Sequence, residues 1–208
     1  MFSSMKSDLN AYLEKDPAAR NKLEVFLLYS GYKAVRKYRR AHWFYIHNMK
    51  LIARYLSQRA RHKTGVEIHP AAQIGKGLVI DHGMGVVIGE TTIIGDNCLI
   101  YQNVTLGGTG HEQGKRHPTL KNNVLIGSGA KVLGPITIGD NSRVAAGAVV
   151  LNNIPENSTA VGVPARVAKQ NGEHLDYLDQ IHFSDPVAQE ICRMQARIDK
   201  LEKEVKNK

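Results

Sequence analysis

The side chains best suited to chemistry fall in four short stretches. Asp81-His82-Gly83 sets an imidazole, which titrates near neutrality, beside a carboxylate and ahead of a glycine that permits a sharp turn. Arg116-His117-Pro118 joins a second imidazole to a guanidinium, whose fork matches a carboxylate in bidentate geometry. Glu67 supplies a further carboxylate. Asp16-Pro17 reads as a helix N-cap followed by proline at the first helical position. The run Gly107-Gly108-Thr109-Gly110 looks like a phosphate loop but lacks the lysine and the strand–loop–helix setting of one.

The elements that must position these residues change character near Lys63-Thr64-Gly65. Residues 1–64 hold one glycine, Gly31, and ten of the 13 aromatic residues, whereas 65–162 hold 17 of the 19 glycines. The first part is predicted helical, with Leu23, Phe26, Leu27, Ser30 and Ala34, then Ile46, Met49, Ile52, Ala53 and Leu56, at three- and four-residue spacing. Between Val25 and Val66 stand ten Lys or Arg and no Asp or Glu, a pattern read as the solvated basic face of a helical bundle, with a nucleic-acid or membrane-surface patch and the attraction of an anionic small molecule as the other readings.

The second part repeats with a period of six. Ile68, Ile74 and Ile80 form one phased block, Ile88, Ile94, Ile100 and Leu106 a second, and Ile126, Val132, Ile138, Val144 and Val150 a third. A helix needs a period near 3.6 and a plain strand a period of 2, whereas six fits short strands joined by tight turns in a β-solenoid. The phase slips between Ile80 and Ile88, around Asp81-His82-Gly83. It slips again between Leu106 and Ile126, read as a loop over Gly107–Asn123 that holds His111, Arg116 and His117. Insertions of this kind are the usual homes of function. Residues 187–205 carry a heptad-like seam of Val187, Ile191, Met194, Ile198, Leu201 and Val205, read as a packing face for self-association or for docking on the solenoid. The chain thus divides into 1–64, 65–168 and 169–208.

Composition narrows the class. A chain of 208 residues with net charge +9, 42% apolar and 23% charged, is globular rather than disordered. No window approaches the roughly 20 apolar residues of a membrane span, and the first residues lack the apolar core of a signal peptide. Cys98 and Cys192, the only cysteines, make neither a disulfide framework nor a four-cysteine zinc site. A cytoplasmic protein with no membrane or nucleic-acid partner is expected.

Glu67-Ile-His-Pro-Ala-Ala-Gln-Ile-Gly, Ile80-Asp-His-Gly, Val87-Ile-Gly-Glu-Thr, Val104-Thr-Leu-Gly-Gly-Thr-Gly, Arg116-His-Pro and Ala160-Val-Gly-Val-Pro-Ala-Arg resemble, in this order, the motifs of the serine O-acetyltransferases. These are hexapeptide-repeat acyltransferases, and the resemblance covers roughly residues 10–170. It implies an α+β fold: an N-terminal α-helical domain, a left-handed parallel β-helix and a C-terminal helical tail. It implies acetyl-coenzyme A as acyl donor, L-serine as acceptor and no metal. His82 is then the general base and Glu67, where the family's usual pattern has an aspartate, its orienting carboxylate. Asp16 and Asp81 face the ammonium and hydroxyl end of serine, while Arg116 with His117 holds its carboxylate. The donor's pantetheine arm pairs with backbone near Gly108, Ser128 and Ala146, and Arg166 and Lys169 meet its phosphates.

The resemblance further implies a homotrimer with active sites at the seams, or a hexamer of two trimers, and feedback inhibition by L-cysteine. The C-terminal isoleucine through which family members engage O-acetylserine sulfhydrylase is not matched by Glu204-Val-Lys-Asn-Lys208, so that partner is not expected. Three other readings use the same residues: an acyltransferase for a sugar or another acceptor, a zinc enzyme using His82, His111 and His117, and a nucleic-acid module on the basic helices. Anchors of both charge signs argue against a neutral sugar, and the glycine-rich surroundings of His111 argue against zinc.

Overall fold

The computed structural model describes residues 2–110, 113–170, 191 and 194–201. Four helices lead the chain: α1 (Phe2–Lys15), α2 (Lys22–Leu28), α3 (Ser30–Ile46) and α4 (Lys50–Thr64). Asp16 does not start a helix. It follows the last residue of α1, its N–H still bonded to Tyr12 O (2.9 Å), and Pro17 cannot continue the ladder. The Asp16 carboxylate instead accepts the Ala18 N–H (2.8 Å) in a tight turn, and the N-cap of α2 is Asn21, which accepts the Glu24 N–H (2.9 Å). Helix α4 ends at the composition boundary, where Gly65 takes the left-handed conformation (φ 71°) that its C-cap requires.

From Glu67 onward the chain winds as a left-handed parallel β-helix with three sheets. The first sheet stacks β1 (Glu67–Ile68), β4 (Val87–Ile88), β7 (Thr105–Gly107), β10 (Lys131–Leu133) and β13 (Val149–Val150). The second stacks β2 (Gln73–Ile74), β5 (Ile93–Ile94), β8 (Thr119–Leu120) and β11 (Thr137–Ile138). The third stacks β3 (Val79–Ile80), β6 (Leu99–Ile100), β9 (Leu125–Ile126), β12 (Arg143–Val144) and β14 (Ser158–Gly162), with β15 (Ala165–Gln170) antiparallel at its end. The period-six aliphatics pair in register as three buried columns, such as Ile80, Ile100, Ile126, Val144 and Ala160.

The second phase slip is shorter than the spacing suggested. Leu120 of β8 is a buried core residue paired with Ile94, so the insertion ends before Thr119 and the phase resumes six residues ahead of Ile126. A loop over the whole of 107–123 would have left the second sheet without a rung there. Of the C-terminal seam, residues 191 and 194–201 are helical, and Ile191, Met194, Ile198 and Leu201 are exposed; the rest of the seam and His111 lie outside the described residues.

The helices close the open end of the solenoid. The first-rung strands present unpaired backbone groups on their outer edge, a liability that a cap removes. Ser57 Oγ donates to Ile68 O (2.9 Å), Arg39 donates to Ile74 O (3.3 Å) and Gly75 O (2.6 Å), and the Tyr12 hydroxyl serves Ile80. Buried Asp8 ties the cap together, accepting both Arg39 (2.6 and 2.8 Å) and the Gly77 N–H (2.9 Å).

Candidate active site

The turn Asp81-His82-Gly83 leaves the third sheet for the first. Gly83 N–H donates to Asp81 O (2.6 Å), His82 N–H donates to Asp81 Oδ1 (2.8 Å), and Ser30 Oγ donates to His82 O (2.9 Å). His82 has φ 55°, in the left-handed region that non-glycine residues avoid. Every other described non-glycine residue with positive φ is asparagine, which tolerates that region through local side-chain bonding. An imidazole held there, its side chain exposed, is a strained arrangement fixed by its surroundings.

Those surroundings are α1 and α3. The Tyr12 hydroxyl donates to Ile80 O (3.0 Å) and accepts the Ile80 N–H (2.9 Å), on the side of β3 that no strand covers. A Cβ on Gly31 would stand 1.9 Å from Ile80 O, so only glycine lets α3 approach this closely. Asp16 comes near Asp81 across the same corner. Burial pushes the Asp81 carboxyl above the usual range; the His82 charge opposes this and the Asp16 charge adds to it. Tyr29 joins them, its hydroxyl pushed up by burial and by Asp16.

Along the corner from the third sheet to the first, Met84, Gln102, Ser128 and Ala146 stack, Asn103 N–H donating to Met84 O (2.8 Å), and His82 lies in the two-residue excursion just before Met84. Gly129 N–H donates to Gln102 O and Gly147 N–H to Ser128 O, both at 2.8 Å. Three steps of about 4.8 Å make this column roughly 14 Å long. Arg166 pairs with Val161 at its far end, and the Lys169 backbone pairs with Thr159 in the same hairpin. Gln102 did not stand out in the sequence, yet its Oε1 is buried with no hydrogen-bond partner among the described residues. Only the register counted from one rung to the next finds it.

Arg116 and His117 occupy a different corner. Arg116 Nη2 meets Glu90 Oε2 at 2.7 Å, and Thr91 Oγ1 accepts the N–H groups of Arg116 and His117 (both 3.1 Å). The Thr91 N–H donates to His117 Nδ1 (3.2 Å), which makes that nitrogen an acceptor and leaves the ring proton on Nε2. Burial, then the Arg116 charge, holds His117 below the usual histidine range. Gly89 makes its seat, since a Cβ there would fall 1.9 Å from the ring. Gly108 lies here too, its would-be Cβ 3.1 Å from Arg116 Cγ, and so stands apart from Ser128 and Ala146. Gly89, Glu90 and Thr91 stood in the Val87-Ile-Gly-Glu-Thr motif, but sequence reading gave them no role at this corner.

Glu67 lies between the two groups. Its carboxylate faces Arg61 (3.4 Å) and Arg54 (3.8 Å) of α4 rather than the His82 ring. The residues beside them in sequence do meet, since a Cβ on Gly83 would stand 3.0 Å from Val66 Cγ2. Among the described residues, no three of His, Cys, Asp and Glu converge as ligands for a metal ion.

A helical cap on a solenoid of hexapeptide rungs, with a strained histidine beside one corner column, defines a hexapeptide-repeat transferase. Residues 117–152 match the family described as bacterial transferase hexapeptide (six repeats), and residues 1–37 match the serine acetyltransferase N-terminal family. A serine acetyltransferase of Synechococcus elongatus is 54% identical over 202 residues, which is 97% of this chain and 83% of that one. The structure of serine acetyltransferase from Neisseria gonorrhoeae in complex with serine is 40% identical with TM-score 0.79, over 81% of this chain and 69% of that one. The Brucella abortus enzyme in complex with coenzyme A is 43% identical with TM-score 0.80, over 83% and 69%. A further serine acetyltransferase, solved in complex with cysteine, is 40% identical with TM-score 0.83, over 86% and 70%. The chain belongs to the serine acetyltransferase family, and it is an acyltransferase.

Proposed function

We propose that this chain transfers the acetyl group of acetyl-coenzyme A to the hydroxyl of L-serine, giving O-acetyl-L-serine and coenzyme A, with His82 as general base. The observation that carries the assignment of the base is the left-handed conformation of His82, imposed by Tyr12, Gly31 and Ser30 at an exposed corner. His82 takes the hydroxyl proton as the oxygen attacks the thioester carbonyl and returns it to the thiolate that leaves. Glu67 orients the ring once it exchanges its partly exposed arginine partners for His82, a small loss because such pairs contribute little. Asp16 and Asp81 hold the substrate ammonium. Arg116, steered by Glu90, holds the substrate carboxylate, and neutral His117 donates from Nε2.

The donor lies along the corner column, with its thioester beside His82, its pantetheine arm over Ser128 and Ala146, and its phosphates toward Arg166 and Lys169. Gln102 Oε1 offers an unused acceptor to an amide N–H of that arm. The Arg116 corner, with Gly108, belongs to a site completed by a second copy, as in a homotrimer whose seams hold the substrates or a hexamer of two trimers. Cysteine, a serine analogue with the same charges, competes for these anchors; a relative solved with cysteine supports this.

Purified protein with acetyl-coenzyme A is assayed for free thiol with L-serine, with D-serine and without acceptor. Release with L-serine alone is expected. Equal release without acceptor, or none with L-serine from an intact oligomer, would move the assignment to another acceptor. In the same assay Glu67→Gln lowers kcat and leaves the KM for serine nearly unchanged, whereas a parental rate would make Glu67 purely structural.

A further inference from the structure

Away from both corners, α3 and α4 form a hairpin that encloses a cavity of about 580 Å³, within the range of small-molecule sites. Its floor is apolar, built from Trp43, Phe44 and Leu56. Its rim is cationic, with Lys37 and Arg40 from α3 and Arg59 and Lys63 from α4. Lys37, Arg40 and Phe44 recur at three and four residues on α3, as do Leu56, Arg59 and Lys63 on α4, so each helix turns one face to the cavity. Lys37 to Phe44 spans about 10 Å along the helix axis.

The rim charges are uncompensated. Arg39 has Asp8, and Arg54 and Arg61 share Glu67, but among the described residues none of the four rim cations has a carboxylate partner. No Asp or Glu occurs between Val25 and Val66. Burial, then Lys63, Arg36, Lys33 and Arg59, holds the Lys37 ammonium below its usual range, so the crowding is felt at the rim. The same face of a second copy carries the same charges and is repelled. Inorganic anions leave the aromatic floor unused, and neutral apolar molecules leave the rim unused.

We propose that the hairpin cavity binds a small amphipathic anion, its acidic head among Lys37, Arg40, Arg59 and Lys63 and its apolar tail, on the order of 10 Å long, on Trp43, Phe44 and Leu56. The site is separate from the serine site. Ser30 and Gly31 of α3 face the His82 turn, while the cavity lies along the C-terminal half of that helix.

Trp43 is the only tryptophan of the chain, so its fluorescence reports the cavity alone. The full-length protein is titrated with n-octyl phosphate below its micellar concentration, with n-octanol and inorganic phosphate as separate arms. A saturable change in Trp43 emission is expected, with half-saturation at least tenfold below either control. Lys37→Ala with Lys63→Ala should weaken it at least tenfold and leave serine-dependent thiol release at the parental rate. Raising the salt from 50 to 500 mM should weaken octyl phosphate and leave octanol unmoved, a test that needs no variant. A silent Trp43, a control that matches octyl phosphate, affinity unaffected by salt, or co-sedimentation with phosphatidylglycerol vesicles in place of monomer binding would each overturn the proposal.

Discussion

The Tyr12 hydroxyl bridges both main-chain groups of Ile80, two residues before His82, so a side chain of the first helix closes the open edge of the strand that carries the candidate base. Burial keeps that phenol protonated well above its ordinary range, which secures its donor role. Tyr12→Phe retains the ring and removes the bridge, leaving a buried N–H and C=O unpaired at a cost of about 1–3 kcal/mol. A lower thermal midpoint together with a several-fold fall in kcat is expected, read by thermal unfolding and thiol release. An unchanged kcat in a destabilised variant would show that the edge and the base are uncoupled.

Gly31→Ala tests the close approach of α3. The added methyl would stand 1.9 Å from Ile80 O and 2.6 Å from the Tyr12 hydroxyl, and backbone must move to admit it. Loss of most activity is expected, with destabilisation well beyond that of Gly147→Ala. Gly147 has φ 70° and open space, so its substitution costs only the roughly 1–2 kcal/mol of left-handed backbone. Similar effects at the two positions would sink the steric account.

His82→Asn separates chemistry from conformation. Asparagine occupies the equivalent conformation at Asn97, Asn103, Asn123, Asn141 and Asn157, so the turn is retained while the base is lost. Acetyl transfer should fall by about 10²–10⁴ with the thermal midpoint nearly unchanged. Turnover near the parental rate would remove His82 as the base.

The two carboxylates at that corner give a signed pH effect. Asp81 is raised by burial and further by the Asp16 charge, so it protonates at a higher pH than an ordinary aspartate. Serine affinity should therefore fall as pH drops through that raised range, since a neutral acid does not hold an ammonium. Asp16→Asn removes the repelling charge. Affinity weakens overall, while the acid limb of the 1/KM profile moves to lower pH. A limb that stays in place would mean Asp16 does not act on Asp81.

Much of this was legible in the residues. A period of six in aliphatics can be buried only by stacking short rungs, and the two breaks in phase marked both candidate corners, because an extra residue in a solenoid has no place except outside the core. Side-chain type alone marked His82 and Arg116, and the glycine boundary marked the end of α4. What folding in three dimensions decided is which residues share a corner. Gln102 falls beneath Met84, next to the His82 turn, and Gly108 sits beside Arg116 rather than Ser128, because the register adds whole turns of unequal length. The turn at Asp16, the bridge from Tyr12 to Ile80 and the arginines on Glu67 rest on contacts between residues from 6 to 68 positions apart or on the absence of a proline N–H. Such contacts form only when the cap and the solenoid meet, and no local pattern in either part records them.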